Sequence, residues 1–281
     1  MRTITLMGAG GKMGLRLTDN LRKTDHAVRH VEVSPRGVAA LAERGLATVP
    51  VEQALEGSDA VILALPDKLI GPITNQLVPR FQPGTMLIAL DIAAALAGVL
   101  PKRDDLVYFV THPCHPSVFG LETEPEAQRD FFGCARAKQN IVCSLVQGPE
   151  EAYAAGEAIA RAIYAPVLEA HRCTPEQMGI LEPVLSETVL GTCLTVVREA
   201  MDEAIRRGVP ARAARDFLLG HMKVELAIVF QELPGAVFSD GALKAIAEAK
   251  RELFQPDWRK VFEPEAMLRS VREITSPRPR A

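Results

Sequence analysis

The sequence predicts an α/β chain: a doubly wound, mostly parallel sheet followed by an all-α C-terminal domain. Three observations carry that prediction. Short apolar segments with strand character alternate with helical ones through the first 172 residues. Several of those segments are apolar throughout, as strands covered on both faces are. From Thr174 onward the strand signal stops and helical periodicity takes over. With 281 residues, 48% hydrophobic and a formal net charge of -3, the chain can bury a sizeable core, and the domains are placed at 1–172 and 173–281.

The elements follow in order. Thr3 to Met7 is a strand, and a glycine turn leads into a helix from Lys12 to Arg22. Ala27 to Val33 is a second strand, stopped by Ser34-Pro35. A helix with Val38, Leu41 and Ala42 then leads through Gly45 to a short third strand, Ala47 to Val49. Asp59 to Leu65, Thr85 to Leu90 and Leu106 to Val110 continue the pattern as strands four to six. Asn140 to Leu145 and Pro166 to Glu169 extend the sheet around a helix opened by Pro149-Glu150-Glu151. Thr174-Pro175-Glu176-Gln177 is a capping box with proline at the first helical position. It announces a helix that runs to Gly208, roughly 50 Å at 1.5 Å per residue. Its proline, Pro183, predicts a kink between Gly179 and Pro183. Helices from Pro210 to Glu232 and from a Ser239 cap to Leu253 follow, and the tail from Ser276 to Arg280 is expected to fray.

The glycine turn, Gly8-Ala9-Gly10-Gly11-Lys12-Met13-Gly14, lies between a strand and a helix. There it offers a tight turn and backbone N–H groups to a pyrophosphate, the arrangement of a Rossmann dinucleotide site. Glu32 stands 18 residues after Gly14, at the end of the second strand. An acid there accepts from ribose hydroxyls and repels a 2′-phosphate, so the cofactor read is NAD, although Ser34 and Arg36 could grip a phosphate. Pro66-Asp67 closes the fourth strand where a ribose would pass.

Thr111-His112-Pro113-Cys114-His115-Pro116 follows the sixth strand, on the side where ligands bind in open α/β sheets. His112 and His115 are candidate general bases or, for His112, a metal ligand. Cys114 has no paired base and is read as a bystander. Glu182, beside Pro183 in an apolar helical segment, is costly to bury and is a candidate for metal coordination or proton handling. Glu187, His221 and Lys244 are left without a role, and Glu199 and Glu203 belong to a solvated face with Arg206 and Arg207. Five cysteines without CxxC spacing argue against a disulfide framework or a structural zinc site. The scattered arginines argue against nucleic-acid binding. No apolar run reaches the length of a membrane span and no signal-peptide core precedes the first strand, so a cytoplasmic location is expected. The length of the capping-box helix predicts a homodimer.

Gly8 to Gly14 with Asn20-Leu21, Val61 to Pro66, the His112-Pro113 loop and an all-helical second domain resemble the 6-phosphogluconate dehydrogenase-like superfamily. More closely, Leu6 to Gly14, Val31-Glu32-Val33-Ser34, Thr111 to Pro116 and Gln177 to Glu187 resemble the D-apionate oxidoisomerase family. That resemblance implies NAD-dependent oxidation of the 2-hydroxyl of a branched 2,3-dihydroxy acid, with migration of a hydroxymethyl group from C3 to C2. It also implies a divalent metal, such as magnesium, with His112 and Glu182 as candidate ligands. Superfamily hydroxyacid dehydrogenases carry a lysine with an asparagine three residues on, and no KxxN occurs here. A simple hydroxy-acid dehydrogenase, a prephenate-type dehydrogenase with its own histidine-proline loop, and a non-catalytic NAD-binding protein stay open.

Overall fold

A computed structural model describes residues 1–276; residues 277–281 of the tail expected to fray lie outside the described residues. Strands β1 (Thr3–Met7), β2 (Ala27–Val31), β3 (Ala60–Leu63), β4 (Met86–Ala89), β5 (Val107–Pro113), β6 (Gln139–Gln147) and β7 (Val167–Arg172) form one sheet in the order β2-β1-β3-β4-β5-β6-β7. The first five are parallel, β6 is antiparallel to β5, and β7 is parallel to β6. Side chains alternate across the pleat. Ile4, Leu6, Ile62, Ile88 and Phe109 pack into one buried cluster with Leu17 and Leu21 of α1 (Lys12–Leu21). Met7, Val61, Leu63, Leu87 and Tyr108 pack into another, on the opposite face. Both faces are thus covered, as the unbroken apolar strands require.

Helices α2 (Pro35–Ala42), α3 (Val51–Leu55), α4 (Asp67–Leu77) and α5 (Ala93–Leu96) connect the parallel strands, and α6 (Ala152–Ile163) joins β6 to β7. The third strand expected at Ala47 to Val49 is reduced to a single bridge between His30 and Thr48. The strand carrying His112 is therefore the fifth. It is also longer than the sequence suggested, because antiparallel β6 pairs with it as far as Pro113 opposite Ile141.

Thr174 makes the capping box, accepting from the Gln177 N–H while the Gln177 side chain accepts from the Thr174 N–H. Helix α7 (Pro175–Gly179) continues into a π-helical stretch, Ile180–Gly191, and then α8 (Thr192–Arg206). The kink expected at Pro183 takes the form of these wider turns, which accommodate a residue that has no N–H to donate. A side chain on Gly179 would come within 2.7 Å of Met267 Sδ, so glycine permits α11 (Pro264–Thr275) to approach α7. Two compact units result: Met1–Pro183 with the stretch from Met267 onward, and Val184–Ala266. The division expected at residue 172 falls at the end of the sheet, whereas the units part within the long helix. The second unit contains all of α8, α9 (Ala211–Val229) and α10 (Asp240–Leu253), in which no residue is buried. Against the expectation of no span-length apolar segment, Pro175–Arg206 is long and apolar enough to cross a membrane by length and composition. Glu182 and Glu187 interrupt the run without lowering its average below that mark.

His30 on β2 is buried, and no partner is found for its Nε2. Burial, helped by the Arg22 charge, lowers its pKa from 6.5, and burial does the same at His26. Each imidazole takes up its proton more readily in the unfolded chain, so stability is full above about pH 6.5 and declines as pH falls below it. Thermal midpoints measured from pH 7.5 to 5.5 should fall with pH, and His30→Leu should flatten that slope; an unchanged slope would show that His30 does not carry it.

Candidate functional site

The N-terminus of α1 is built for an anion. Gly11 caps it without a side-chain hydrogen bond, and its first turn holds no acid, leaving the N–H groups of Lys12 and Met13 to face a ligand phosphate without competition. Close approach sets the turn. A Cβ on Gly14 would lie 2.0 Å from the Gly8 carbonyl oxygen, and one on Gly10 would lie 2.4 Å from the backbone of Gly37. Gly8 itself has a φ of +72°, in the left-handed region. A Cβ on Gly11 would meet nothing nearer than 3.3 Å, so Gly8, Gly10 and Gly14 are the glycines the geometry demands.

Glu32 sits against this turn. One carboxylate oxygen accepts the Gly10 N–H at 2.9 Å, and the other accepts those of Val33 and Ser34 at 2.9 and 2.8 Å. Burial works against its charge, but the hydrogen bonds from Ser34, Val33 and Gly10 outweigh it and hold the carboxyl below its ordinary range. Gly37, which sequence reasoning missed, makes room: a Cβ there would lie 2.6 Å from the Glu32 carboxyl carbon. The available signal was a glycine on the helix that follows the candidate acid.

At the carboxyl ends of β3, β4 and β5 a second cluster forms. Ala89 pairs with Val110, so two residues further along Asp91 stands beside His112, with Oδ2 3.8 Å from Nδ1. His112 Nδ1 also lies 2.8 Å from the Leu90 carbonyl oxygen. A carbonyl only accepts, so Nδ1 carries the proton and Nε2 the lone pair. Burial lowers the His112 pKa against the opposing pull of Asp91 and the Leu90 bond, keeping the ring neutral at pH 7. Its side chain is nonetheless 27% exposed and open to a ligand. Pro66 caps α4 and Asp67 opens it; burial, then the charge of Asp91, raises the Asp67 pKa. Asp91 too was missed, although Leu90-Asp91 ends its strand much as Pro66-Asp67 follows the one before. His115 has a φ of +60° and its ring stands edge-on to His112, with centroids 6.2 Å apart.

Met178 of α7 is buried in the same patch as Ala89, Ile92 and Val110, at these strand ends. Glu182 follows one turn later and is half-buried. Cys114 is exposed, and burial of its sulfur together with nearby Cys173 raises its thiol pKa, which suits a bystander rather than a nucleophile. His221 stacks on Phe217, with centroids 3.9 Å apart, in the second unit.

This fold, with an uncapped helix N-terminus and an acid at the end of β2, defines an NAD-binding oxidoreductase of the 6-phosphogluconate dehydrogenase type. Residues 3–94 match the NAD binding domain of 6-phosphogluconate dehydrogenase, and residues 121–275 match the phosphogluconate dehydrogenase (decarboxylating) C-terminal family. The chain belongs, within that class, to the D-apionate oxidoisomerase family. It is 56% identical over 273 residues to the D-apionate oxidoisomerase of Cupriavidus necator, covering 97% of this chain and 99% of that one. It is 55% identical over 276 residues to the enzyme of that name from Rhizobium rhizogenes, covering 98% and 100%. A crystal structure from Cupriavidus necator, described as a semialdehyde dehydrogenase NAD-binding protein in complex with calcium and NAD, superposes with a TM-score of 0.96 at 56% identity over 98% of this chain and 100% of that one.

Replacing Glu32 with Gln should weaken NAD binding roughly tenfold, the scale of losing charge-assisted hydrogen bonds, and narrow the preference for NAD over NADP. Fluorescence titration with the two reduced cofactors checks this; an unchanged ratio would remove Glu32 from cofactor choice.

Proposed function

We propose that the protein oxidises the 2-hydroxyl of D-apionate with NAD and moves a hydroxymethyl group from C3 to C2, giving 3-oxo-isoapionate, NADH and a proton. The observation that carries the reading is neutral His112, held by the Leu90 carbonyl and Asp91 at the strand ends that face the ligand crevice. Bound NAD supplies the acceptor for the hydride leaving C2. Gly8, Gly10, Gly11, Gly14 and the N–H groups of Lys12 and Met13 cradle its pyrophosphate, Glu32 takes the adenosine ribose, and Pro66 and Asp67 border its path.

His112 Nε2 accepts the proton of the C2 hydroxyl as the hydride departs. The ensuing shift breaks the bond from C3 to the hydroxymethyl carbon and forms one from C2 to it. The C3 hydroxyl loses its proton to become the new carbonyl, and the C2 oxygen regains one. Two proton-handling groups are therefore required, and His112 can return its proton to the C2 oxygen. Glu182, on the helix that packs at these strand ends, is the candidate for the C3 hydroxyl, and His115 is the alternative.

A divalent metal is supported by the calcium bound in the Cupriavidus necator structure and would polarise the migrating ketol. His112 and Glu182 are the candidate ligands as an alternative to their proton-handling roles, because with Nδ1 protonated His112 has a single lone pair, on Nε2. Among the described residues no group of three His, Cys, Asp or Glu side chains is arranged to hold a metal ion, so these two alone do not complete a coordination sphere, and the proton steps above rest on the protein's side chains. The reading includes a cytoplasmic homodimer. Its support is the unburied helices of the second unit and an apolar cavity of about 390 Å³ there, lined by Met201, Val209, Phe217 and Leu218; one face of a second copy would cover such a surface.

Incubation with NAD, magnesium and a panel of hydroxy acids is expected to yield NADH most rapidly with D-apionate. Faster turnover of an unbranched 2-hydroxy acid or of prephenate would favour the simple dehydrogenases, and NAD binding without any turnover a non-catalytic role. His112→Gln should lower kcat by about 10²–10⁴ while leaving NAD affinity in place.

A further inference from the structure

Gly37 stands in the first turn of α2, where the backbone itself does not ask for glycine. Its φ lies outside the left-handed region, and glycine is an unfavourable residue in a helix. The reason for it is a neighbour. A Cβ at this position would meet the Glu32 side chain first, with the carboxyl carbon at 2.6 Å and Cγ and Oε2 at 2.7 Å. Those atoms form the far end of a flexible side chain, so a methyl group here would displace the acid and leave the helix in place.

The oxygen displaced is the one that a ligand needs. Oε1 of Glu32 already accepts the N–H groups of Val33 and Ser34, so the capacity to accept from a further hydroxyl rests on Oε2. That same oxygen accepts the Gly10 N–H at 2.9 Å, which ties the acid to the glycine turn. The amides around Gly10 are spent elsewhere: those of Gly8 and Ala9 donate to the Val31 carbonyl, and that of Gly11 to the Gly8 carbonyl. The bond from Gly10 therefore carries the position of the turn to the acid. Gly37 is fixed against the same turn, since a Cβ on Gly10 would fall 2.4 Å from the Gly37 Cα and carbonyl oxygen. Its own N–H donates to the Ser34 hydroxyl at 3.1 Å.

We propose that Gly37 is a positioning residue for cofactor choice: presenting no side chain, it lets the Glu32 carboxylate close onto the Gly10 N–H and holds Oε2 where it accepts from the adenosine ribose and repels a 2′-phosphate. This inference rests on the reading of Glu32 as the acid that takes the ribose of NAD. Glu32 supplies the charge, and Gly37 fixes where that charge stands.

The test pairs a spectrum of the cofactor-free protein with a double-mutant cycle on cofactor affinity. In ¹H–¹⁵N spectra of the full-length protein labelled at glycine, the Gly10 amide proton should move upfield in Gly37→Ala as in Glu32→Ala, because each change takes away its carboxylate acceptor. A Gly10 amide that Gly37→Ala leaves in place would overturn the proposal. Fluorescence titrations with NADH and NADPH then give the preference between them. Gly37→Ala should lower the preference for NADH about fivefold or more, the scale of one charge-assisted hydrogen bond, and Glu32→Ala should lower it at least as far. Adding Gly37→Ala to Glu32→Ala should change the preference less than twofold. Equal losses for both cofactors in Gly37→Ala, or a further fall in the double variant, would overturn the positioning role while Glu32 keeps its own. A preference unchanged in Glu32→Ala would instead overturn the cofactor reading, and the proposal with it. Thermal melts check the substitution itself: the double variant, with no acid for the new methyl to strike, should melt no lower than Glu32→Ala, and a lower midpoint would show that Gly37 serves the backbone rather than the acid.

Discussion

The seating of α1 on β1, with Gly14 closed onto the carbonyl of Gly8, is the constraint on which the rest of the structure depends. Any side chain at Gly14 would overlap backbone that cannot yield, so the helix would lift and its free N–H groups would leave the place proposed for the pyrophosphate. Its register also fixes Arg16 and Asn20, which hold the segment 132–134, and through Gly10 it fixes the contact with Gly37 that clears space for Glu32. One close approach of backbone thus organises the glycine turn, the acid proposed to select the cofactor and the loop beside the histidines.

The parallel sheet supplies the second ingredient. Because β3, β4 and β5 run the same way and pair in register, whatever follows their apolar cores collects along one edge. Asp67, Asp91 and His112 come from three separate connections and meet there. Their electrostatics are mutually limiting: burial and the charge of Asp91 raise Asp67, while burial holds His112 neutral against the pull of the same aspartate. A neutral ring with its tautomer set by a backbone carbonyl is ready to accept a proton, which is what oxidation of an alcohol asks of it.

Features that depend on short stretches of chain were legible in the sequence. The glycine turn between a strand and a helix, the capping box at Thr174, Glu32 at the end of β2 and His112 beyond an apolar run each announce themselves within a few residues. What could not be read depends on contacts between distant segments. Gly37 matters only because Glu32 folds against it, and Asp91 only because the register of β4 and β5 sets it beside His112. The short strand at Ala47 to Val49 failed for a related reason, since local propensity could not reveal that the segment pairs with β2 only through a single bridge to His30. At Pro183 the sequence predicted a disturbance but not its form, because a kink and widened π-helical turns both relieve the same clash.

A site that both oxidises and rearranges its substrate leaves its mark on one carbon–carbon bond. D-apionate carrying ¹³C at C2 and in its hydroxymethyl groups would be turned over with NAD and followed by ¹³C NMR. A new one-bond coupling between C2 and a hydroxymethyl carbon, appearing in step with NADH, is the predicted result; NADH accompanied by a 2-oxo acid without that coupling would contradict the account.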